Sequence, residues 1–389
     1  MKAGWQMKKL AELLQIQNGY AFDSKNFSPA GEMPLIRIRD LKAGVETETK
    51  FTGDYDEKYV VKSGDFLIGM DGEFGCYEWK GSPALLNQRV CRLQNFDTAL
   101  LPRFLFYGVN SHLKEIEDVT GFTTVKHISS RQILDIDFIA PPLPEQQRIV
   151  GILDAAFDGI ATTKANAEKN LQNARALFES HLQSVFTQRG EGWEEKSLEE
   201  LGTITSSKRI FKSEYVKSGI PFYRTKEIKQ LANSREITTE LFISEARYNE
   251  IKSGFGVPKE GDILLTAIGT IGEIWVVEGK NNFYFKDGNV LWLKEFASIN
   301  PHFLKYVLLS FVESLNKMSH GAAYSALPIQ RLNAHKIFLP SPAEQEQIVA
   351  TLNALREETQ RLASLYQLKL AALEELKKSL LHQAFSGAL

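Results

Sequence analysis

Cysteine is scarce in this 389-residue chain: Cys76 and Cys91 stand fifteen residues apart, with no Cys-x-x-Cys spacing. That argues against a disulfide framework or a thiolate zinc site, and two reduced, buried thiols are expected. Long apolar runs are missing as well. No stretch of 18 apolar residues occurs, and the opening MKAGWQMKKLAELL has no apolar core of signal-peptide length. A soluble, cytoplasmic protein without a membrane span is the expectation. Nor is there an excess of charge of one sign, since 46 Lys and Arg face 48 Asp and Glu. A bulk polycation is excluded, whereas a local basic face is not.

Catalytic signatures are equally absent. There is no G-x-x-x-x-G-K-[ST] loop to run an ATP-driven motor, no H-E-x-x-H pair and no G-x-S-x-G elbow. Pro141-Pro142 is preceded by Ala140 and followed by Leu143, so it is not the Asn/Asp-Pro-Pro-aromatic loop that grips a flipped adenine. Gly69, Gly72, Gly75, Gly269 and Gly272 lack the G-x-G-x-x-G order and are read as tight-turn residues. No catalytic, cofactor-binding or metal-binding residue is assigned, and a non-enzyme is expected.

What is present is a globular composition, 43% hydrophobic and 11% aromatic, on a chain long enough for two or more cores. It is also a duplication. GWQMKKLAEL (4–13) returns as GWEEKSLEEL (192–201), and PLIRIRDLK (34–42) as PFYRTKEIK (221–229). GDFLIGMDGEFG (64–75) returns as GDILLTAIGTIG (261–272), and LPRFLFYGVNS (101–111) as NPHFLKYVLLS (300–310). PPLPEQQRIVGIL (141–153) returns as PSPAEQEQIVATL (340–352). The order is kept while the offset grows from about 188 to about 199, so the halves differ by loop insertions. Each copy carries short β-branched or aromatic strands (PLIRIR, GDFLIG, GDILLTAI, NVLWLK), Gly-rich turns and a helical pattern near Pro102–Leu113 or Pro301–Leu315. The expected class is α+β: two pseudo-symmetric α+β domains, 1–144 and 190–343, each followed by a long helix, 145–189 and 344–389.

Ser341, Pro342 and Glu344 spell a capping box at the start of the second helix. Leu352, Leu355, Thr359, Leu362, Tyr366, Lys369, Leu373, Leu376 and Leu380 then follow the alternating three-and-four spacing of a coiled-coil seam. The first helix has a weaker stripe of Leu153, Ala156, Ile160, Thr163, Ala167, Ala174 and Leu177, whose small residues suit close approach. Either each helix packs on its own domain or the two pair with each other. Pairing fits their length better, and the symmetry of a duplication makes that pair an antiparallel coiled coil.

The segments PPLPEQQRIVGILD and SPAEQEQIVATLN, the tail LKKSLLHQAFSGAL, the paired GDILL-type turns and VKHISSRQIL (125–134) together resemble the specificity subunits of type I restriction–modification systems. The likeness spans the whole chain. It departs at GMDGEFG against AIGTIG and at ALPIQRLN (326–333) against HISSRQIL. It implies that each domain is a target recognition domain reading one half of a bipartite, asymmetric site in double-stranded DNA. The helices would set the spacer and dock two methyltransferase (M) subunits, and restriction/translocase (R) subunits would join them. S-adenosylmethionine, ATP and Mg would then be bound by those partners and none by this chain.

For DNA contact, alternation predicts that Arg37 and Arg39 share one strand face, as do Arg224 and Lys226, with Lys42 and Lys229 beyond. Such pairs suit phosphates or guanine edges, although an ordinary charged edge strand would look the same. Between Ser206 and Arg235 the bases Lys208, Arg209, Lys212, Lys217, Arg224, Lys226, Lys229 and Arg235 meet only Glu214 and Glu227. Asn18, Tyr20 and Lys25 lie on one polar loop, and Thr123, Thr124, Lys126 and His127 on another that is echoed by Tyr324. Gln88, Arg89 and Asn289 precede equivalent strands. Plain surface polarity remains the alternative for each. Two other functions also stay open: a stand-alone sequence-specific DNA-binding regulator without methylase partners, and a coiled-coil scaffold without DNA affinity.

If the helices act as a ruler, inserting one helical turn near Asn170 lengthens the spacer of the recognised site. Mapping the selected sequences checks this, and an unaltered spacer would remove the ruler.

Overall fold

The computed structural model describes residues 2, 4–120, 126–188, 190–269, 271–296, 298–318 and 327–389. They form two compact units, one of Met1–Ala167 with Leu368–Leu389 and one of Glu168–Gln367.

The first unit begins with β1 (Gln6–Lys9), α1 (Leu10–Leu13), β2 (Gln15–Asn18), β3 (Phe27–Ser28), β4 (Met33–Ile36) and β5 (Lys50–Phe51). It continues with β6 (Val60–Val61), β7 (Phe66–Gly69), β8 (Gly75–Glu78), β9 (Ala84–Leu86), β10 (Val90–Gln94), α2 (Pro102–Val119), α3 (Ser130–Leu134) and β11 (Asp137–Ala140). The helix α4 (Leu143–Thr187) then begins in this unit. The second unit repeats the plan with β12 (Glu194–Ser197), α5 (Leu198–Leu201), β13 (Thr203–Ser206), β14 (Tyr215–Val216), β15 (Ile220–Tyr223), α6 (Thr225–Ala232), β16 (Phe242–Ile243) and α7 (Glu245–Gly254). After these come β17 (Ile263–Thr266), β18 (Ile274–Val276), β19 (Tyr284–Phe285), β20 (Val290–Lys294), α8 (Pro301–Met318), α9 (Ile329–Asn333), β21 (Lys336–Leu339) and α10 (Pro342–Ser386).

The topology is the same twice. An antiparallel sheet runs β2-β10-β7-β8 in one unit and β13-β20-β17-β18 in the other. A second sheet orders β3-β5-β4-β9-β6, matched by β14-β16-β15-β19, with β4–β9 and β15–β19 as parallel pairs. Small β1–β11 and β12–β21 ladders close each copy. This is the α+β architecture expected from the repeats. The central strands read as unbroken apolar runs because both of their faces are covered. Phe66 and Ile68 of β7 join Phe104, Leu105 and Val109 of α2, while Leu67 joins Ile36, Val61 and Trp79 on the opposite side. In the second copy Ile263 and Leu265 face α8, and Leu264 packs with Phe285 and Trp292. Cys76 and Cys91 are free, buried thiols in the first sheet, and burial pushes both pKa values up.

Strands β4 and β15 stop earlier than alternation predicted. Arg37 and Arg224 leave the strand as helix N-caps, their N–H groups donating to Asp40 Oδ2 (2.9 Å) and Glu227 Oε2 (2.8 Å). A 3-10 turn follows in the first copy and α6 in the second. The placement of Arg37 with Arg39, and of Arg224 with Lys226, on one strand face is therefore corrected. An acid three residues on accepts from the N–H of the N-cap residue, which outweighs the strand propensity of Ile38 or Thr225.

The two long helices are each 45 residues, about 68 Å at 1.5 Å per residue. At the start of α10, Ser341 and Glu344 make the expected capping box, Ser341 N–H donating to Glu344 Oε2 (3.0 Å) and Glu344 N–H to Ser341 Oγ (3.4 Å). Within the first unit the start of α4 and the end of α10 run antiparallel. Arg148 Nη2 donates to the Leu389 carbonyl (2.8 Å), Lys377 lies over the Phe157 ring, and Lys164 Nζ is 2.6 Å from Glu374 Oε1. Leu153, Phe157, Leu380, Leu381, Ala384 and Phe385 share that unit's core. Within the second unit the end of α4 (Phe178, Leu182, Phe186) and the start of α10 (Ile348, Val349, Leu352) share the other core. Neither helix packs on its own domain alone.

The seam is close to the expected one. Leu153, Ala167, Ala174, Leu352 and Thr359 are buried, and Ile160, Leu355, Leu362, Tyr366, Leu373 and Leu380 are partly buried. Leu177, Lys369 and Leu376 are exposed. Beyond Ala174 the buried row moves to Phe178 and Leu182, and near Leu376 the partly buried positions are Leu373 and Leu380. A straight helix drifts from a strict heptad, so on α4 the counted stripe slips by one residue.

The repeated Glu-Gln of the motif has a structural meaning. Gln146 and Gln345 are fully buried. Gln146 Oε1 accepts from Leu101 N–H (2.8 Å), and its Nε2 donates to the Ala99 (2.7 Å) and Pro141 (2.8 Å) carbonyls. Gln345 Oε1 accepts from Asn300 N–H (2.8 Å), and its Nε2 donates to the Pro340 carbonyl (3.0 Å). One amide thus ties each long helix to the turn that opens α2 or α8. Gln146→Leu leaves three backbone groups without their side-chain partner, the Pro141 carbonyl among them buried, and is expected to cost about 2–3 kcal/mol. That lowers the melting temperature by roughly 5–10 °C; an unchanged melting curve would show that the clamp contributes nothing.

Candidate nucleic-acid interface

In the first unit an open surface cleft gathers several of the predicted residues. Arg37, Arg39, Gln88 and Arg89 line it with Phe22, Ser24, Phe27, Ile38, Asn87 and Val90. The arginines reach it from the turn after β4, and Asn87–Arg89 form the turn between β9 and β10. Arg39 Nη2 donates to Thr49 Oγ1 (2.9 Å) and its Nε is 3.7 Å from Asp40 Oδ1. Arg89 Nε is 3.3 Å from Asp71 Oδ2, and His127 Nδ1 is 2.6 Å from Asp71 Oδ1. Gly72, next to Asp71, adopts the left-handed φ of +77° that this turn needs, and Gly269 does the same at +80° in the second copy.

Other predicted residues lie around this cleft without lining it. Asn18 ends β2 and accepts a hydrogen bond from Ser130 Oγ. Tyr20 is exposed, bridges to Asn87 through its backbone and packs edge-on against Phe22. Lys25 sits in a 3-10 turn, Ser24–Asn26. Lys126 Nζ donates to the Glu117 carbonyl (2.8 Å). Lys42 is drawn away by Glu73 at 2.7 Å, which also raises its pKa. Thr123, Thr124 and Tyr324 lie outside the described residues.

The second unit changes the picture of its basic stretch. Counted along the chain, Glu214 and Glu227 were its only acids; folded, Glu240, Glu273 and Asp287 come in from elsewhere. Arg224 Nη2 pairs with Glu227 Oε1 (2.9 Å) and Glu240 Oε2 (3.1 Å), and Lys226 Nζ with Glu240 Oε1 (3.3 Å). Lys229 Nζ meets Glu273 Oε1 (3.0 Å), and Arg209 Nε meets Asp287 Oδ2 (2.7 Å). Hydrogen bonds from Arg224 and Lys226 hold the Glu240 carboxyl below its usual pKa. Burial would raise Glu227, but Arg224 keeps it low. Among the described residues no ion pair engages Lys208, Lys212, Lys217 or Arg235. Lys226, Lys229 and Arg235 line one shallow groove with Gln230, Asn233 and Glu273. Asn289 stands ahead of β20 and its carbonyl accepts from Ala267 N–H (2.8 Å).

Sequence reasoning missed the acids, Asp71 above all. Its signal was the break in the repeat, because Asp71 stands where the second copy has Ile268.

A duplicated, two-headed α+β protein with long helices and local cationic surfaces has the make-up of a polyanion reader. Residues 2–173 and 190–369 match the family model of the type I restriction modification DNA specificity domain. The chain is 30% identical to the specificity subunit of the type I restriction enzyme EcoBI of Escherichia coli, over 99% of this chain and 86% of that one. It belongs to the type I restriction–modification DNA specificity family. Two solved structures share its fold. The HsdS subunit from Thermoanaerobacter tengcongensis has a TM-score of 0.62 at 20% identity, covering 100% of this chain and 98% of that one. A chain from work on complex assembly and conformational transition of the type I R-M system has a TM-score of 0.73 at 21% identity, covering 100% and 99%.

The acids predict a gain of function. Glu240→Gln releases Lys226 and takes from Arg224 one of its two acids, and should tighten non-specific DNA binding several-fold at low salt. A filter or anisotropy titration against salt would read a steeper slope; an unchanged slope would mean that neither base reaches a phosphate.

Proposed function

We propose that this chain is the specificity subunit of a type I restriction–modification complex, in which residues 1–144 and 190–343 each read one half of a bipartite, asymmetric DNA site. The observation that carries this is the duplication itself. One topology is built twice, each copy matches the specificity family, and each has its own cationic surface. Arg37, Arg39, Gln88 and Arg89 in the first cleft, and Lys208, Arg209, Lys212, Arg224, Lys226, Lys229 and Asn289 in the second domain, supply groups that bind phosphates or base edges.

Two methyltransferase subunits dock along the helices, and nucleolytic translocase subunits join that core. Leu365 and Leu368, exposed on α10, suit such docking. This chain is the recognition component, and S-adenosylmethionine, ATP and Mg belong to the partners. No described helix is long and apolar enough to cross a membrane, which accords with work in the cytoplasm. No observation favours a stand-alone regulator.

Exchanging residues 190–343 for the second domain of another family member is expected to change one half-site and leave the other and the spacer length intact. Mapping modified adenines in cellular DNA reads this directly. A change in both halves would contradict independent domains.

A further inference from the structure

Both domains expose an arginine whose Nε faces an aspartate. In the first, Arg89 Nε lies 3.3 Å from Asp71 Oδ2, with the arginine side chain 56% and the aspartate 21% exposed. In the second, Arg209 Nε lies 2.7 Å from Asp287 Oδ2, at 69% and 17%. Among the described residues no hydrogen bond is made by the Nη atoms of either arginine.

The two copies build this arrangement from different parts of the repeat. Arg89 stands in the β9–β10 turn, where its carbonyl accepts from Met70 N–H (3.0 Å), and its aspartate comes from the β7–β8 turn. The matching bond in the second copy runs from Ala267 N–H to Asn289, so Asn289 occupies the place of Arg89. There Asp287 sits in the β19–β20 turn instead, and Arg209 arrives from the segment after β13. The same side-chain pair therefore appears on the same edge of each domain by two routes.

We infer that Arg89 and Arg209 are specificity-determining residues, each reading one guanine in its own half-site through its two Nη groups. The inference rests on the DNA-reading function proposed above. Asp287 accepts a hydrogen bond from Arg209 Nε and fixes that guanidinium plane, while Asp71 lies at ion-pair distance from Arg89 Nε; in both, the Nη pair is left as a fork without a partner among the described residues. That fork matches the O6 and N7 acceptors on the major-groove edge of guanine. A phosphate role fits poorly. A carboxylate beside the arginine repels a phosphate, and a phosphate needs no fixed fork. His127 Nδ1, 2.6 Å from Asp71 Oδ1, holds the second carboxylate oxygen and keeps the anchor from turning.

The test is selection of bound duplexes from a randomised pool by the full-length chain assembled with its methyltransferase subunits. Wild type, Arg89→Ala, Arg89→Lys, Arg209→Ala, Arg209→Lys and Asp71→Asn are compared. Arg89→Ala and Arg89→Lys should each lose a guanine preference of roughly ten-fold or more at one position of one half-site, with the other half unchanged. The Arg209 variants should do the same in the other half-site. Asp71→Asn should weaken the Arg89 position alone. An even loss of affinity across all sequences would mean a phosphate contact and overturns the inference while leaving DNA recognition standing. Retention of the preference by the lysine variants would mean that a point charge suffices, and overturns reading by an oriented fork. A preference unaltered in the alanine variants overturns it as well. A wild-type assembly that selects no sequence overturns the DNA-reading function, and this inference with it. Melting temperatures of the variants separate folding damage from lost reading, and substitution at the exposed Arg89 and Arg209 side chains should leave them unchanged.

Discussion

The structure depends on one buried amide in each half. Gln146 and Gln345 sit in the first turns of the long helices with no exposure to solvent, and each joins a helix N-terminus to the strand end before it and to the turn that opens α2 or α8. An unpaired amide at that depth costs more than the net gain from its bonds, so the site tolerates one arrangement only. The direction in which each helix leaves its domain is thereby set by three short hydrogen bonds in one copy and two in the other. A slack joint there would leave the helix free to swing, and the core it shares with the other helix could not form.

That shared core is the second consequence of duplication. Each unit takes the near half of its own helix and the far half of the other one, and the antiparallel contacts in the first unit, from Arg148–Leu389 to Lys164–Glu374, record the direction. Small residues at Ala167 and Ala174 are buried where a leucine would hold a neighbouring helix further off. The apolar periodicity of both helices therefore serves two cores in succession, which explains why it is long and uneven.

The charged surfaces follow a different rule. An acid placed beside a base lowers its pull on phosphate but fixes its geometry. Where Glu240 and Glu273 meet Arg224, Lys226 and Lys229, the field of a dense basic stretch is partly cancelled. Where Asp71 and Asp287 meet Arg89 and Arg209, the arginine is left exposed, and in the second domain a hydrogen bond at Nε orients it. A surface with near-balanced charge that still presents oriented arginines is suited to discrimination more than to tight, indiscriminate binding.

The α+β class, the duplication, the two helices with their capping box and the family were legible in the sequence. Each follows from local pattern: repeated segments must fold alike, and a proline-free stretch with apolar spacing of three and four has one regular solution. Other features depended on distant neighbours. The early ends of β4 and β15 came from competition between strand and helix cap, settled by Asp40 and Glu227. The exposure of Leu177 came from helical drift against a counted heptad. Which bases are neutralised, and which arginines are held with their forks free, was decided only in three dimensions. Sequence order says nothing of the long stretches of chain that fold back between a base and its acid, as from Lys229 to Glu273 or Arg209 to Asp287. Electrostatic partnership depends on distance through space, and only the packed fold sets that distance.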